Sequence, residues 1–335
     1  MTTATPPDHP ALRHAWRRYG AFDVAAGRNE RRFLRLRRLI LIVGVLAAAA
    51  GIVAAAGSAE LHATMRWVTF VASLVLTGLF AFATRVDRGT LWVQSRRSAE
   101  LILHETFLYR TGSGPYRAAG DDVSKRDALL VAQLSALNTA QPAKPGGIPD
   151  DQLAPRPARD AGGAPLTLAA GTADDGLCPL TADDYVAVRL EPQRTWYQRR
   201  AQRVQRMLLT YQIAGIAIGL VGSTLAFAGG ALTAWVAITT ASAAAITGWT
   251  ELRRLEPTAA AYELAASQLE DVLLWWSALA ADARNPDAFD KLVTQCEGVI
   301  ESENASWTQD MRKRIADLKA ATAATATPTR PPAST

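Results

Sequence analysis

Apolar and polar positions along this chain separate into long blocks. Leu39–Gly57, Trp67–Thr84, Met207–Ala228 and Ala231–Trp249 are apolar almost throughout and hold no charged residue. Each is ~18–22 residues, enough at ~1.5 Å per residue to cover the ~30 Å hydrocarbon layer of a bilayer. A soluble core helix of that length carries polar residues on one face. The blocks predict an all-α integral membrane protein with four spans, paired into two tandem transmembrane hairpins.

The intervening blocks have the spacing of amphipathic helices. One is expected over 11–38, where Trp16, Tyr19, Phe22, Phe33 and Leu36 give a ragged apolar face. Others are expected over 87–110, where Gly112-Ser113-Gly114-Pro115 is the stop, and over 121–138. Residues 257–282 and 285–319 predict two more. The last repeats Phe289, Leu292, Val293, Cys296, Val299 and Ile300, a stripe that faces another helix. Thr181 with Asp184 three positions on predicts a capped helix start. Residues 140–180 are dense in Pro, Gly, Ala and Asp and are expected to be a flexible linker. A disordered leader (1–10) and tail (320–335) complete the chain. No strand-like alternation of any length occurs.

The halves share one plan. Leu39 and Trp92 lie 53 positions apart, Met207 and Tyr262 lie 55 apart, and each aromatic is followed eight positions later by an acid, Glu100 or Glu270. Two like units follow, 11–139 with spans at 39–57 and 67–84, and 181–319 with spans at 207–228 and 231–249.

Composition changes this picture little, because a mean hydropathy of +0.02 conceals the segregation. The net charge of +5 matters more for where it lies. Arg28, Arg31, Arg32, Arg35, Arg37 and Arg38 precede the first span, and Arg85, Arg88, Arg96 and Arg97 follow the second. Arg194, Arg199, Arg200, Arg203 and Arg206 precede the third, and Arg253 and Arg254 follow the fourth. Cationic loops stay in the cytosol, so both termini and the linker are expected there and the two short hairpin turns outside, in an inner membrane. The lipid bilayer, not nucleic acid, is the partner this charge predicts. Cys178 and Cys296 stand far apart, which argues against a disulfide or zinc framework.

The chain carries no catalytic pattern. His9, His14, His62 and His104 are scattered, and no nucleophile elbow, phosphate loop or dinucleotide fingerprint occurs. The reading predicts no enzyme activity, no metal and no cofactor. The spans say more. Thr69, Ser73, Thr77 and Thr84 fall within about 80° of one another on a helical wheel, and Thr233, Thr240 and Thr247 within about 40°. Such rows suit a pore wall or a helix–helix interface, and a threonine can also bond its own backbone. Gly215, Gly219 and Gly222 form a small-residue face suited to close helix packing, as do Ala47, Gly51 and Ala55. No acid or base lies within a span, which argues against a proton relay or ion-coupled transporter.

One run is familiar. Tyr185, Arg189, Leu190, Gln193, Trp196, Tyr197 and Ala201, placed just before a hairpin, resemble the segment preceding the membrane hairpin of the SLATT family. These are the SMODS- and SLOG-associating two-transmembrane effector domains. Arg200 stands where the family usually has Lys. Trp92, Arg96, Ala99 and Glu100, with Phe107-Leu108-Tyr109 and Gly114-Pro115-Tyr116, are similar to the family's post-hairpin segment, and Glu303, Asn304 and Trp307 to its closing motif. The resemblance covers 16–138 and 181–314. It implies a membrane effector of bacterial anti-phage or conflict systems, switched by nucleotide second messengers from a partner protein and compromising the membrane as a homo-oligomeric pore. The alternative is a non-conducting, membrane-anchored sensor or scaffold that binds a partner through its cytosolic helices, with the Phe289–Ile300 stripe and Trp307 as the contact.

Overall fold

The computed structural model describes residues 9–56, 59–120, 122–140 and 165–326. Most of the expected leader, the linker over 141–164 and the tail beyond 326 lie outside them. The described residues are overwhelmingly helical, with one isolated antiparallel bridge between Thr167 and Ala173 and no strand. The helices are α1 Pro10–Ala56, α2 Ala59–Arg85, α3 Arg88–Thr111, α4 Val123–Ala140, α5 Ala182–Ala228, α6 Val236–Arg253, α7 Leu255–Ala278 and α8 Pro286–Ala326.

Several ends follow from local chemistry. Gly112 (φ +63°) stops α3: its N–H donates to Tyr109 O at 3.2 Å and that of Ser113 to Leu108 O at 3.0 Å, the paired bonds of a glycine C-cap. The positive φ at Gly112 selects glycine there, and a Cβ would also crowd the end of the Arg126 side chain at 2.7 Å. The Thr181 cap forms as expected, with its hydroxyl oxygen accepting from Asp184 N–H and the Asp184 carboxylate accepting from Thr181 N–H.

The residues cluster into two compact units, each drawing on both halves of the sequence. The first gathers 1–28, 91–201 and 260–310 and has an ordinary dense core. Leu12, Trp16, Phe107, Tyr116, Leu130, Tyr185, Leu190, Leu269 and Leu292 are fully buried in it. The second gathers 29–90, 202–259 and 311–335. Many of its large side chains face outward, including Trp67 at 70%, Leu220 at 65% and Phe227 at 95% exposure. Water penalises that surface at roughly 25 cal/mol per Å² and hydrocarbon does not.

Three helices, α1, α2 and α5, are long and apolar enough to cross a membrane. Helix α1 runs unbroken for 47 residues, joining the amphipathic and apolar blocks over 11–38 and 39–57. The fourth expected span differs from its prediction. Gly229 and Gly230 take positive φ (+67° and +61°), Gly230–Trp235 is a 3₁₀ turn, and the α-helix begins only at Val236. Helix α6 is thus 18 residues and already includes Glu251 and Arg253, so it is not among the three.

The expected flexible linker over 140–180 is corrected at its end. Residues 165–180 pack into the first unit, with Leu166, Asp174 and Leu180 buried. Trp16 Nε1 donates to Gly176 O at 2.7 Å, and Arg110 Nη1 donates to Asp174 Oδ2 at 2.9 Å. The composition is loop-like, but partners at large sequence separation order it.

Candidate functional site

A π-turn over Val186–Leu190 sits near the start of α5. Val188, Arg189 and Leu190 are buried in succession along it. Arg189 grips Glu297 of α8 through two bonds, Nε to Oε1 at 2.8 Å and Nη2 to Oε2 at 2.9 Å. The Tyr185 hydroxyl also donates to Glu297 Oε1 at 2.9 Å. Arg189 stacks its guanidinium 4.5 Å over the Phe107 ring of α3. His104 of α3 lies 3.3 Å from Glu297 and 3.8 Å from Glu301, and Arg97 holds Glu301 at 3.0 Å.

The Glu297 carboxylate is fully buried. Burial alone would raise its pKa, but the charge and hydrogen bonds of Arg189, with those of His104, outweigh burial and bring it down to about 2. Burial likewise lowers the His104 pKa, and the bond to Glu297 with the charges of Glu297, Glu105 and Glu301 more than reverses that. Burial pushes the neighbouring Cys296 thiol up to about 12, which leaves it no nucleophile at neutral pH. The cluster is a structural tie among α3, α5 and α8.

The remaining family-motif residues meet in the same unit. Trp92 packs edge-on against Trp307 at 5.3 Å, and Arg96 lies 4.7 Å over the Trp307 ring while approaching Glu100 at 3.9 Å. Tyr197 donates its hydroxyl to Glu303 at 3.1 Å and also bonds the Gln193 side chain. Trp196 and Tyr197 pack on Tyr262 of α7 at 5.5 and 5.6 Å. Asn304 is buried and donates to Ile300 O at 3.1 Å. Every motif position singled out in the sequence therefore falls inside one helical bundle. Glu297 and His104 were not singled out. A signal existed for the first: Glu297 lies four after Val293 and three before Ile300, an acid on an apolar stripe.

The stripe itself corrects one expectation. Leu292, Val293, Cys296 and Ile300 are buried by this chain, and Phe289 and Trp307 contact its Tyr185 and Trp92. Those residues are engaged within their own bundle.

In the spans, hydroxyls of the expected rows bond their own helices. Thr69, Ser73 and Thr77 donate to Met65, Thr69 and Ser73 carbonyls at 2.9, 2.8 and 2.9 Å, and Thr84 to Ala81 O at 2.8 Å. Thr233 donates to Gly230 O and Thr240 to Val236 O. Thr247 is exposed, and its carbonyl accepts from Thr250. Of the small-residue face, only Gly222 meets another helix: a Cβ there would lie 2.5 Å from Thr239 Oγ1 of α6. Nothing lies within 4 Å of a Cβ at Gly215 or Gly219. Among the described residues no group of three His, Cys, Asp or Glu could hold a metal ion.

Residues 185–307 match the family model described as SMODS and SLOG-associating 2TM effector domain 1. Residues 18–122 match a second model, described as a protein of unknown function (DUF4231). No curated protein and no solved structure matches the chain.

Proposed function

From a chain whose residues 185–307 are a SLATT-family membrane effector domain, we propose a multi-pass inner-membrane effector that assembles into a homo-oligomeric pore in a bacterial conflict system. The role is non-catalytic, with the bilayer as the substrate. The observation that carries it is the uncovered apolar surface of the second unit, where Phe70, Leu74, Ile216, Leu220 and Phe227 are at least 60% exposed. Lipid covers such a surface without cost.

Four crossings complete this reading. The 3₁₀ turn over Gly230–Trp235 rises ~2.0 Å per residue and the α-helix to Trp249 ~1.5 Å, together ~33 Å, which is enough for the hydrocarbon layer. An even number of spans keeps both arginine-rich flanks in the cytosol. Four helices do not readily enclose a channel, so conduction needs several copies. Gly215 and Gly219, open within the chain, supply a face on which helices of two copies approach closely. The family's description associates such domains with SMODS and SLOG, so a nucleotide-signalling partner protein is the proposed source of the trigger.

A second reading rests on the hydroxyl rows. Each bonded hydroxyl donates inward to its own helix, as it also would in a non-conducting, membrane-anchored sensor. Membrane potential in bacteria separates the two. Induced wild-type chain should depolarise cells, and the Thr233→Leu/Thr240→Leu/Thr247→Leu variant should insert equally and depolarise less. Equal depolarisation removes the α6 row from the pore wall, and none in either favours the sensor.

A further inference from the structure

The arginines of the two units differ in what answers them. In the first, Arg97, Arg110, Arg189 and Arg194 are paired with carboxylates of the same unit, Glu301, Asp174, Glu297 and Glu270. In the second, Arg31, Arg32 and Arg35 of α1, Arg85 of α2, and Arg203 and Arg206 of α5 are exposed. None of these has a side-chain partner among the described residues. The acids beside them along the chain do not answer. Asp87 is held by Lys319 at 2.6 Å, and Glu30 pairs with none of them.

Contacts inside the second unit bring these cations to one level. Arg38 stacks 5.1 Å over Trp249 of α6, and the Trp249 indole N–H donates to the Tyr211 hydroxyl of α5 at 3.0 Å. The ends of α1, α5 and α6 therefore meet where the arginine runs give way to the apolar blocks. A Cβ at Gly89, just past α2, would lie 3.0 Å from Phe33 of α1, which brings Arg85 to the same end. On each of the three span-length helices an arginine sits three or four positions from a large apolar side chain that is also exposed. The pairs are Arg35 with Leu39, Arg85 with Phe82, and Arg206 with Leu209. Such spacing puts both on one helix face, ~5 Å apart along the axis, with the cation on the flank side and the apolar group on the span side. A phospholipid stacks its phosphate over its acyl chains in that order.

The sign of the layer selects the lipid. Against these arginines the same end exposes Glu251 and Glu256, which leaves positive charge in excess. A zwitterionic headgroup brings an ammonium of its own into that excess, whereas phosphatidylglycerol and cardiolipin bring phosphate alone. We propose that this arginine collar binds anionic phospholipid, with phosphates against the free guanidiniums and acyl chains along Leu39, Phe82 and Leu209. The site rests on α1, α2 and α5 crossing the bilayer, as the effector reading has it.

The test is electron paramagnetic resonance of the full chain in phosphatidylcholine vesicles carrying a trace of spin-labelled phosphatidylglycerol or spin-labelled phosphatidylcholine. The motionally restricted fraction of each probe gives their relative association. Both leaflets have the same composition, so orientation does not matter. The wild-type chain should hold phosphatidylglycerol about fivefold over phosphatidylcholine, the factor expected of one arginine beside a membrane surface. Gln at 31, 32, 35, 203 and 206 together should bring the ratio near one with the thermal midpoint unchanged, and Lys at the same positions should keep most of it. Lys125→Gln/Lys291→Gln, which removes cations from the first unit, should leave the ratio as it is. Equal association of the two probes with the wild-type chain would overturn the collar, as would an equal loss in the Lys125/Lys291 variant. Selectivity abolished by millimolar inorganic phosphate would make it a site for the free anion, which also overturns it. Carbonate extraction reports separately: a chain stripped from membranes refutes the spanning reading and the collar with it, whereas an embedded chain without lipid preference refutes only the collar.

Discussion

Arg189 and Glu297 decide most at the scale of single residues. Both are buried, and removing one partner strands the other charge away from water, which costs about 3–5 kcal/mol. Glu297→Gln and Arg189→Gln should each lower the thermal midpoint of the full chain in detergent sharply. Arg189→Leu/Glu297→Leu should lose less than the sum of the two single changes. His104 adds a pH dependence whose sign follows from its raised pKa. Its stabilisation is complete below the unfolded value of about 6.5 and disappears as pH rises through the folded value. The groups around it are Arg97 and Glu105 on α3, Tyr185 and Arg189 on α5, and Glu297 and Glu301 on α8. The midpoint should therefore fall as pH rises above about 6.5, and His104→Gln should flatten that slope. The pair was half legible in the sequence. Arg189 belongs to a recognisable motif, but its partner lies 108 positions away and no local pattern joins them.

Elements were read more fully than pairs, because helix ends and apolar blocks are local properties. The Gly112 stop and the Thr181 cap were visible in the sequence and formed as read. Thr181→Ala should cost about 1 kcal/mol in thermal unfolding. The onset of α6 was not visible. Gly229 and Gly230 hide the backbone turn that delays the helix to Val236, since an apolar block has the same composition in either geometry. The order of residues 165–180 is hidden from the sequence for a related reason: it depends on Arg110 and Trp16, far away in sequence. The glycines of α5 now divide by what faces them. Gly222→Val pushes into Thr239 and should destabilise the α5–α6 pair by about 1–3 kcal/mol. Gly219→Val meets nothing in the chain and should leave unfolding unchanged while reducing cross-linking between copies.

At the scale of the molecule, the sequence repeat and the compact units divide the chain differently. The sequence predicts two like units in tandem, while each compact unit gathers segments from both halves, one rich in buried ion pairs and the other in exposed apolar helix. Contacts between distant segments create that division, and periodicity does not encode them. Helices α1 and α5, among others, contribute residues to both units. The central claim is that the second hairpin crosses the bilayer twice. Phe227, 95% exposed near its turn, should then lie outside the cell, and Ser124 on α4 inside. In a Cys178→Ser chain, membrane-impermeant maleimide should label Phe227→Cys in intact cells and Ser124→Cys only after permeabilisation. Labelling of Phe227→Cys only after permeabilisation, or of Ser124→Cys in intact cells, would contradict the account.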